Sequence, residues 1–305
     1  MTKTENNILL FSITLCWAAS YIFIKSLPPD LSSFAYLTLT TGIAAVILVV
    51  VFWRRLKEVK VSTVKRSLLL SALLTVSLLV ERQGIMLLPA SNASFLAALT
   101  ILIVPLILLL LRRKPTRDNI IGALIIVLGL CLTSRFSLPA FMNLGSLFMF
   151  LGCVAGAFYI ISADRFTKRE SPLLIGVVQM VITALIGFIM WTVEEPTTFF
   201  SVDYTRELLS SIFILAFFTK AYAYIVLMFS QKYADPMRVT IIASTEPVVT
   251  LTLAVLIPAA YGAGEAFSIY SLIGAVTIAC GAVVAGSNLF IRKTKPAKGA
   301  GVYAD

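Results

Sequence analysis

Residues 91–111 read SNASFLAALTILIVPLILLLL, a run that carries no charged side chain. A helix that crosses a bilayer needs about 20 mostly apolar residues. Backbone groups in the hydrocarbon core have no water to bond to, so they must pair within the segment. The run is therefore typical of a membrane-spanning helix.

Nine further runs have similar length and composition. They cover residues 7–27, 32–53, 67–88, 118–134, 144–163, 172–193, 208–230, 237–257 and 269–291. Of the 305 residues, 59% are hydrophobic and only 13% are charged, whereas a soluble domain is about 25% charged. The sequence predicts an all-α polytopic membrane protein with ten transmembrane helices.

The net charge of +10 is unevenly distributed. Lys and Arg gather in alternate connections and in the tail, at residues 54–66, 112–117, 165–169, 232–238 and 292–298. Cytoplasmic loops carry such an excess. The pattern predicts a plasma (inner) membrane protein with both termini in the cytoplasm. The cations then set topology beside the lipid bilayer, and a nucleic-acid partner is not expected.

The two halves of the chain resemble each other. Gly122 and Gly129 recur as Gly274 and Gly281 with the same spacing. Small residues at such positions allow helices to approach closely in membranes. Each half holds five spans, an odd number, so the second half must enter the membrane in the opposite sense. We expect two inverted repeats, 1–138 and 139–291, followed by a basic cytoplasmic tail at 292–305, with a substrate site between the halves.

Four segments resemble the EamA-type transporters of the drug/metabolite transporter superfamily. They are CWAASYIFIK at 16–25, GIMLLPASNASFLAALTILIVPLILLLL at 84–111, and the stretches Ile121–Ser134 and Ala234–Ser287. The resemblance implies two inverted five-helix repeats, a central cavity lined mainly by the first four helices of each repeat, and export or exchange of small metabolites.

The first half departs from that family pattern in two places. Glu246-Pro247 has Thr100-Ile101 as its counterpart, and Gly264-Glu265 has Arg113-Lys114. These departures concern the symmetry of the fold more than the activity.

Four charged residues fall near the middle of spans: Glu81, Arg82, Lys220 and Glu246. Because a charge at the bilayer centre costs about 2.5–3.5 kcal/mol on insertion scales, such residues usually face a partner or a water-filled cavity. One interpretation is a substrate and coupling site. The other is a pair of permanent ion pairs, Glu81–Lys220 or Arg82–Glu246, that hold the halves together.

Further candidates for the cavity lining are Trp17, Tyr21, Tyr224 and Gln83. Lys25, at the outer end of the first helix, either reaches to the interface or lines an external gate. Pro247 lacks a backbone N–H, which predicts a kink or a packing bend in the ninth helix.

The pattern favours a secondary transporter, an exporter or exchanger that moves a small organic metabolite such as an amino acid or organic anion by alternating access. A channel-like facilitator or a non-transport membrane scaffold is the alternative. The chain has no His, no HExxH or Walker motif and no CxxC spacing, so we expect no enzyme, cofactor or metal site. Proton coupling, exchange with a counter-substrate and the oligomeric state are left open.

Overall fold

The computed structural model describes residues 2–112, 116–133, 142–198, 202–257 and 268–286. In these ranges the chain forms ten helical spans and no strand. In order, α1 to α10 are Lys3–Lys25, Ser33–Phe52, Val61–Leu87, Ala90–Leu110, Arg117–Thr133, Leu144–Thr167, Pro172–Glu194, Arg206–Tyr233, Pro236–Leu256 and Ile269–Gly286. The prediction of an all-α polytopic protein with ten spans is confirmed.

Side chains at the helix starts explain several of these bounds. The Thr2 hydroxyl accepts a hydrogen bond from the backbone N–H of Glu5, and the Glu5 carboxylate accepts one from the backbone N–H of Thr2. Asp235 accepts from the backbone N–H of Arg238 and precedes Pro236. Each contact satisfies a donor that the first helical turn leaves unpaired. The polar caps therefore fix the ends of helices whose interiors are almost uniformly apolar.

Two helices, α4 and α9, are broken at matching places. Ala90–Ala97 and Thr100–Leu110 are the halves of α4, and Pro236–Ala243 and Glu246–Leu256 are the halves of α9. Tighter i→i−3 hydrogen bonds span both breaks. The break therefore belongs to both repeats.

The kink predicted at Pro247 needs a different cause. Pro247 lies in the first turn of the second half of α9, Glu246–Leu256, where a missing N–H removes no helical bond. The break itself falls at Ser244-Thr245, and α4 breaks at Ala98-Leu99 without a proline there. The proline is accommodated at the break and does not create it.

The two halves interleave. Helix α1 packs on α8 and α9 of the second half, whereas α6 packs on α3 and α4 of the first half. Helix α2 packs on α7, and α5 on α10. Exchanging the two halves turns α1–α8 into α6–α3 and α1–α9 into α6–α4, and it leaves α2–α7 and α5–α10 unchanged. This is expected for inverted repeats related by a pseudo-two-fold axis.

Glycines bring α5 and α10 into backbone contact. A Cβ atom on Gly129 would lie 2.9 Å from the carbonyl oxygen of Gly274, and one on Gly281 would lie 2.8 Å from that of Gly122. The prediction that these glycines allow close helix approach is confirmed, and the seam occurs within one chain.

Some predicted features lie outside the described residues. They are Arg113-Lys114, the boundary between residues 138 and 139, Gly264-Glu265 and the basic tail at 292–305.

Candidate functional site

A cavity of about 150 Å³ lies between the interleaved halves. Its walls come from α1, α3, α4, α6, α8 and α9, with one side chain from α2. Both breaks border it, through Ala97, Ala98 and Thr100 on α4 and through Ala243, Ser244 and Glu246 on α9. Discontinuous helices at a midplane cavity are a recurring arrangement in secondary transporters.

Seven of the eight candidate residues line this cavity. They are Trp17, Tyr21, Glu81, Arg82, Lys220, Tyr224 and Glu246. Gln83 lies outside the lining and donates a hydrogen bond to the Ser33 hydroxyl at 2.8 Å. The structure thus brings together side chains from α1, α3, α8 and α9. Two of them, Trp17 and Glu246, are 229 positions apart in the sequence.

Lys220 is a buried cation in this cavity, with 5% of its surface exposed. Its ammonium lies 5.8 Å from the ring centroid of Tyr36 and 5.8 Å from that of Tyr224. Among the described residues it has no hydrogen-bond or ion-pair partner. A buried ammonium is costly without a partner, so this group is suited to receive an anion from the cavity.

Lys220 lies in a stretch of irregular backbone. Residues Leu215–Tyr222 form a π-helical segment inside α8. Such a segment inserts one residue into the helix, which rotates the following side chains by about 100° relative to an unbroken α-helix. Short π-helical segments often occur at functional sites.

The hydroxyl of Tyr21 is close to the carboxyl groups of both Glu81 and Glu246. The Tyr21 hydroxyl donates to Oε1 of Glu81 at 3.5 Å and lies close to the carboxyl group of Glu246. Glu246 is 8% exposed and lies at the start of the second half of α9. These groups form an acidic side of the cavity opposite in charge to Lys220.

Arg82 makes different contacts from Lys220. Its guanidinium donates to the carbonyl oxygen of Leu31 and to the Ser33 hydroxyl, the latter at 3.0 Å. Its Cζ lies 5.4 Å from the ring centroid of Tyr36. These contacts fix α3 to the connection before α2, which is a structural role for this cation.

The alternative of permanent ion pairs finds no support in the described part of the chain. The salt bridges among the described residues are Arg55–Glu58, Arg66–Glu170 and Lys168–Asp164. None involves the four intramembrane charges. Those charges share a cavity without pairing within 4.0 Å.

Aromatic side chains form much of the remaining wall. The Tyr224 ring lies 6.0 Å from the rings of both Trp17 and Tyr159, and Tyr159 exchanges hydrogen bonds with Gln179. Sequence reasoning did not select Tyr159, Tyr36, Cys153 or Thr100 as lining residues. The repeat offers a signal for two of them, because residues 153–158 (CVAGAF) resemble residues 16–21 (CWAASY), so that Cys153 matches Cys16 and Tyr159 follows directly.

Lys25 joins the C-terminal end of α1 to that of α3. Its ammonium donates to the carbonyl oxygen of Met86, at 3.2 Å. A cation there also interacts favourably with the helix dipole. Both interpretations of Lys25, a reach to the interface and a place in an external gate, stay predictions.

Ten spans in two inverted repeats around a charged central cavity define a membrane transporter. The chain belongs to the EamA-like transporter family, whose model matches residues 6–135 and 143–287. The family resemblance noted in the sequence is thereby confirmed, and the matched family consists of transporters.

Comparison with known proteins adds the fold and no further assignment. No curated protein matches the sequence. A solved crystal structure of another protein superposes with a TM-score of 0.70 at 19% sequence identity. The match covers 93% of this chain and 98% of that chain. At this identity the likeness supports the fold alone.

Proposed function

We propose that the protein is a secondary transporter, an exporter or exchanger that moves a small organic metabolite by alternating access. The observation that carries this proposal is the buried, unpaired ammonium of Lys220 in a cavity between the two repeats. A group so costly to bury is retained where a ligand compensates it. The substrate therefore carries an anionic group, as an amino acid or an organic anion does.

The acidic side of the cavity favours an amino acid over a simple anion. A zwitterion supplies a carboxylate for Lys220 and an ammonium group for Glu81 or Glu246. It also leaves the net charge of the cavity unchanged. An organic anion satisfies Lys220 but leaves both carboxylates without a cation.

The broken helices support alternating access over an open channel. Each repeat contributes one discontinuous helix to the cavity, and the repeats have opposite orientation. Movement of one helix group against the other would expose the same site first to one side and then to the other. Coupling to protons or to a counter-substrate is compatible with this arrangement.

Counterflow in proteoliposomes tests the proposal. Purified protein is reconstituted with a panel of unlabelled neutral amino acids, acidic amino acids and monocarboxylates inside, and uptake of the same labelled compounds is followed at several pH values. Saturable uptake that internal substrate stimulates is the expected result. Unsaturable flux independent of internal substrate would favour the channel-like facilitator, and no flux of any compound would favour the scaffold.

The proposed topology places both termini in the cytoplasm of a plasma-membrane protein, supported by the alternating Lys and Arg content of the connections. Single cysteines test it in a background that lacks the native ones. Asp203→Cys should react with an impermeant maleimide from outside intact cells, whereas Lys57→Cys should react only after permeabilisation. The opposite labelling would reverse the topology.

The proposed transporter needs no nucleotide, metal or nucleic acid, so its partners are the substrate, a coupling solute and the lipid bilayer. No enzymatic activity is expected.

A further inference from the structure

The ring of Tyr36 makes a cation–π contact with each of the two intramembrane cations. Tyr36 lies near the start of α2 and lines the cavity. The Arg82 guanidinium carbon is 5.4 Å from its centroid, and the Lys220 ammonium is 5.8 Å from it. Helices α3 and α8, which carry these cations, occupy equivalent positions in the two repeats. One aromatic ring therefore contacts a cation from each repeat.

Arg82 holds this ring in place. The guanidinium donates to the carbonyl oxygen of Leu31, in the turn that leads into α2, and to the hydroxyl of Ser33, the first residue of α2. Tyr36 follows in the first turn of α2, and its backbone N–H donates to the carbonyl oxygen of Ser32. The position of the ring is therefore tied to Arg82 by hydrogen bonds on one side and by the cation–π contact on the other.

A second ring completes the enclosure of Lys220. Tyr224 lies one turn further along α8, with its centroid also 5.8 Å from the ammonium. It packs against Trp17 and Tyr159, each with a centroid separation of 6.0 Å. We call Tyr36 and Tyr224 the aromatic clamp.

The clamp explains how Lys220 stays unpaired beside two carboxylates. Glu81 and Glu246 line the same cavity, and the charge of Glu81 acts on Lys220. A flexible lysine would be expected to swing onto such a carboxylate. Aromatic faces attract the ammonium without neutralising its charge, so they compete with the carboxylates and leave the cation available to an anion.

We propose that Tyr36 is a positioning residue that holds Lys220 away from Glu81 and thereby keeps it available to the anionic group of the substrate. The inference rests on the proposed function for the identity of the anion as substrate. The clamp itself depends only on the contacts of the described residues. Without the ring, Lys220 pairs with Glu81, and a ligand must break that pair before it binds.

Equilibrium binding of benzoate, measured by isothermal titration calorimetry on purified protein, tests the clamp without knowledge of the substrate. Tyr36→Leu should weaken binding by about 10- to 30-fold, the loss expected for a desolvated cation–π contact. Tyr36→Phe keeps the ring and should restore most of the affinity. Tyr204→Leu, at an exposed tyrosine before α8, serves as the matched control.

A double variant separates positioning from a general packing defect. In Tyr36→Leu/Glu81→Gln the released lysine has lost its competing carboxylate, so benzoate affinity should recover by about tenfold relative to Tyr36→Leu. A packing defect would not be repaired by a second substitution in the cavity. Thermal stability of every variant is measured in parallel.

The outcomes distinguish this inference from the proposed function. The clamp would be overturned if Tyr36→Leu and Tyr36→Phe weakened benzoate binding equally, or if the double variant showed no recovery. It would also be overturned if Lys220→Ala bound benzoate as tightly as the wild type. Failure of the wild type to bind benzoate would overturn it too. Absence of saturable counterflow with intact benzoate binding would overturn the transport proposal and leave the clamp standing.

Discussion

Gly281 on α10 meets the backbone of α5 so closely that a Cβ atom on it would lie 2.8 Å from the carbonyl oxygen of Gly122. The same Cβ would lie 2.9 Å from the backbone nitrogen of Ile126. Both neighbours are backbone atoms, so they cannot move aside as a flexible side chain would. The contact joins the last helix of one repeat to the last helix of the other.

We predict that Gly281→Ala destabilises the protein by about 1–3 kcal/mol, the usual cost of overpacking. Thermal unfolding in detergent, followed by size-exclusion chromatography, measures the loss. Gly42→Ala is the control, because no atom lies within 4 Å of a Cβ at that position. Equal stability of the two variants would contradict the backbone contact.

Lys220→Ala should abolish counterflow while the protein still folds, because the substitution removes the ammonium that receives the anion. Removal of an unpaired buried charge also relieves a desolvation cost, so stability should stay constant or rise. Lys232→Ala, at an exposed position on the same helix, should transport normally. Wild-type flux and affinity in Lys220→Ala would refute the assigned role.

Arg82→Gln should behave differently from Lys220→Ala, with stability as its main loss. The substitution leaves the Leu31 carbonyl without its donor and weakens the tie to Ser33. Each buried group left unpaired costs about 1–3 kcal/mol. Lys65→Gln, exposed on the same helix, is the comparison. If thermal stability were unchanged and only affinity fell, Arg82 would belong with the ligand-binding groups.

The N-terminal end of α3 carries a pH-sensitive contact. Glu170, between α6 and α7, bonds to Thr63 and pairs with Arg66. Partial burial raises the pKa of Glu170. The hydrogen bonds from Thr63 and Ser62 and the charges of Arg66 and Lys60 together lower it by more than burial raises it, so the pKa lies below its usual value of 4.5.

A carboxyl group with a depressed pKa stabilises the fold above its unfolded-state pKa, and this contribution is lost as the pH falls through the folded-state value. We therefore expect the wild type to lose thermal stability below pH 4.5 more steeply than Glu170→Gln. At pH 7 the variant should be the less stable of the two. Parallel pH profiles of the two proteins would rule out a stabilising role for Glu170.

Most of the helices could be predicted from hydropathy, because a span is defined by length and apolar content. The fourth span was expected at 91–111 and is Ala90–Leu110. The third was expected at 67–88 but begins at Val61, since Lys65 and Arg66 remain helical beyond the apolar run. Charge marks the edge of the bilayer and does not by itself end a helix.

The internal irregularities could not be predicted in the same way. The breaks at Ala98-Leu99 and Ser244-Thr245, and the π-helical segment around Lys220, lie inside predicted spans, and hydropathy does not mark where the helix becomes irregular. They depend on packing between helices far apart in sequence. The intramembrane charges pointed to the cavity because the cost of placing a charge in the bilayer can be read from each residue's position in its own span. Tyr36 escaped notice because a tyrosine near a helix start is typical of an interfacial position.

The interleaved packing of the halves also bears on how the chain is synthesised. Asn6 on α1 bonds to the carbonyl of Ser230, 224 residues later. Since α1 packs mainly on α8 and α9, it enters the bilayer long before its partners exist. Until the second repeat has been inserted, the first repeat lacks the helices against which α1 packs. A chain truncated after α5 should be a substrate for membrane quality control and not an independent domain.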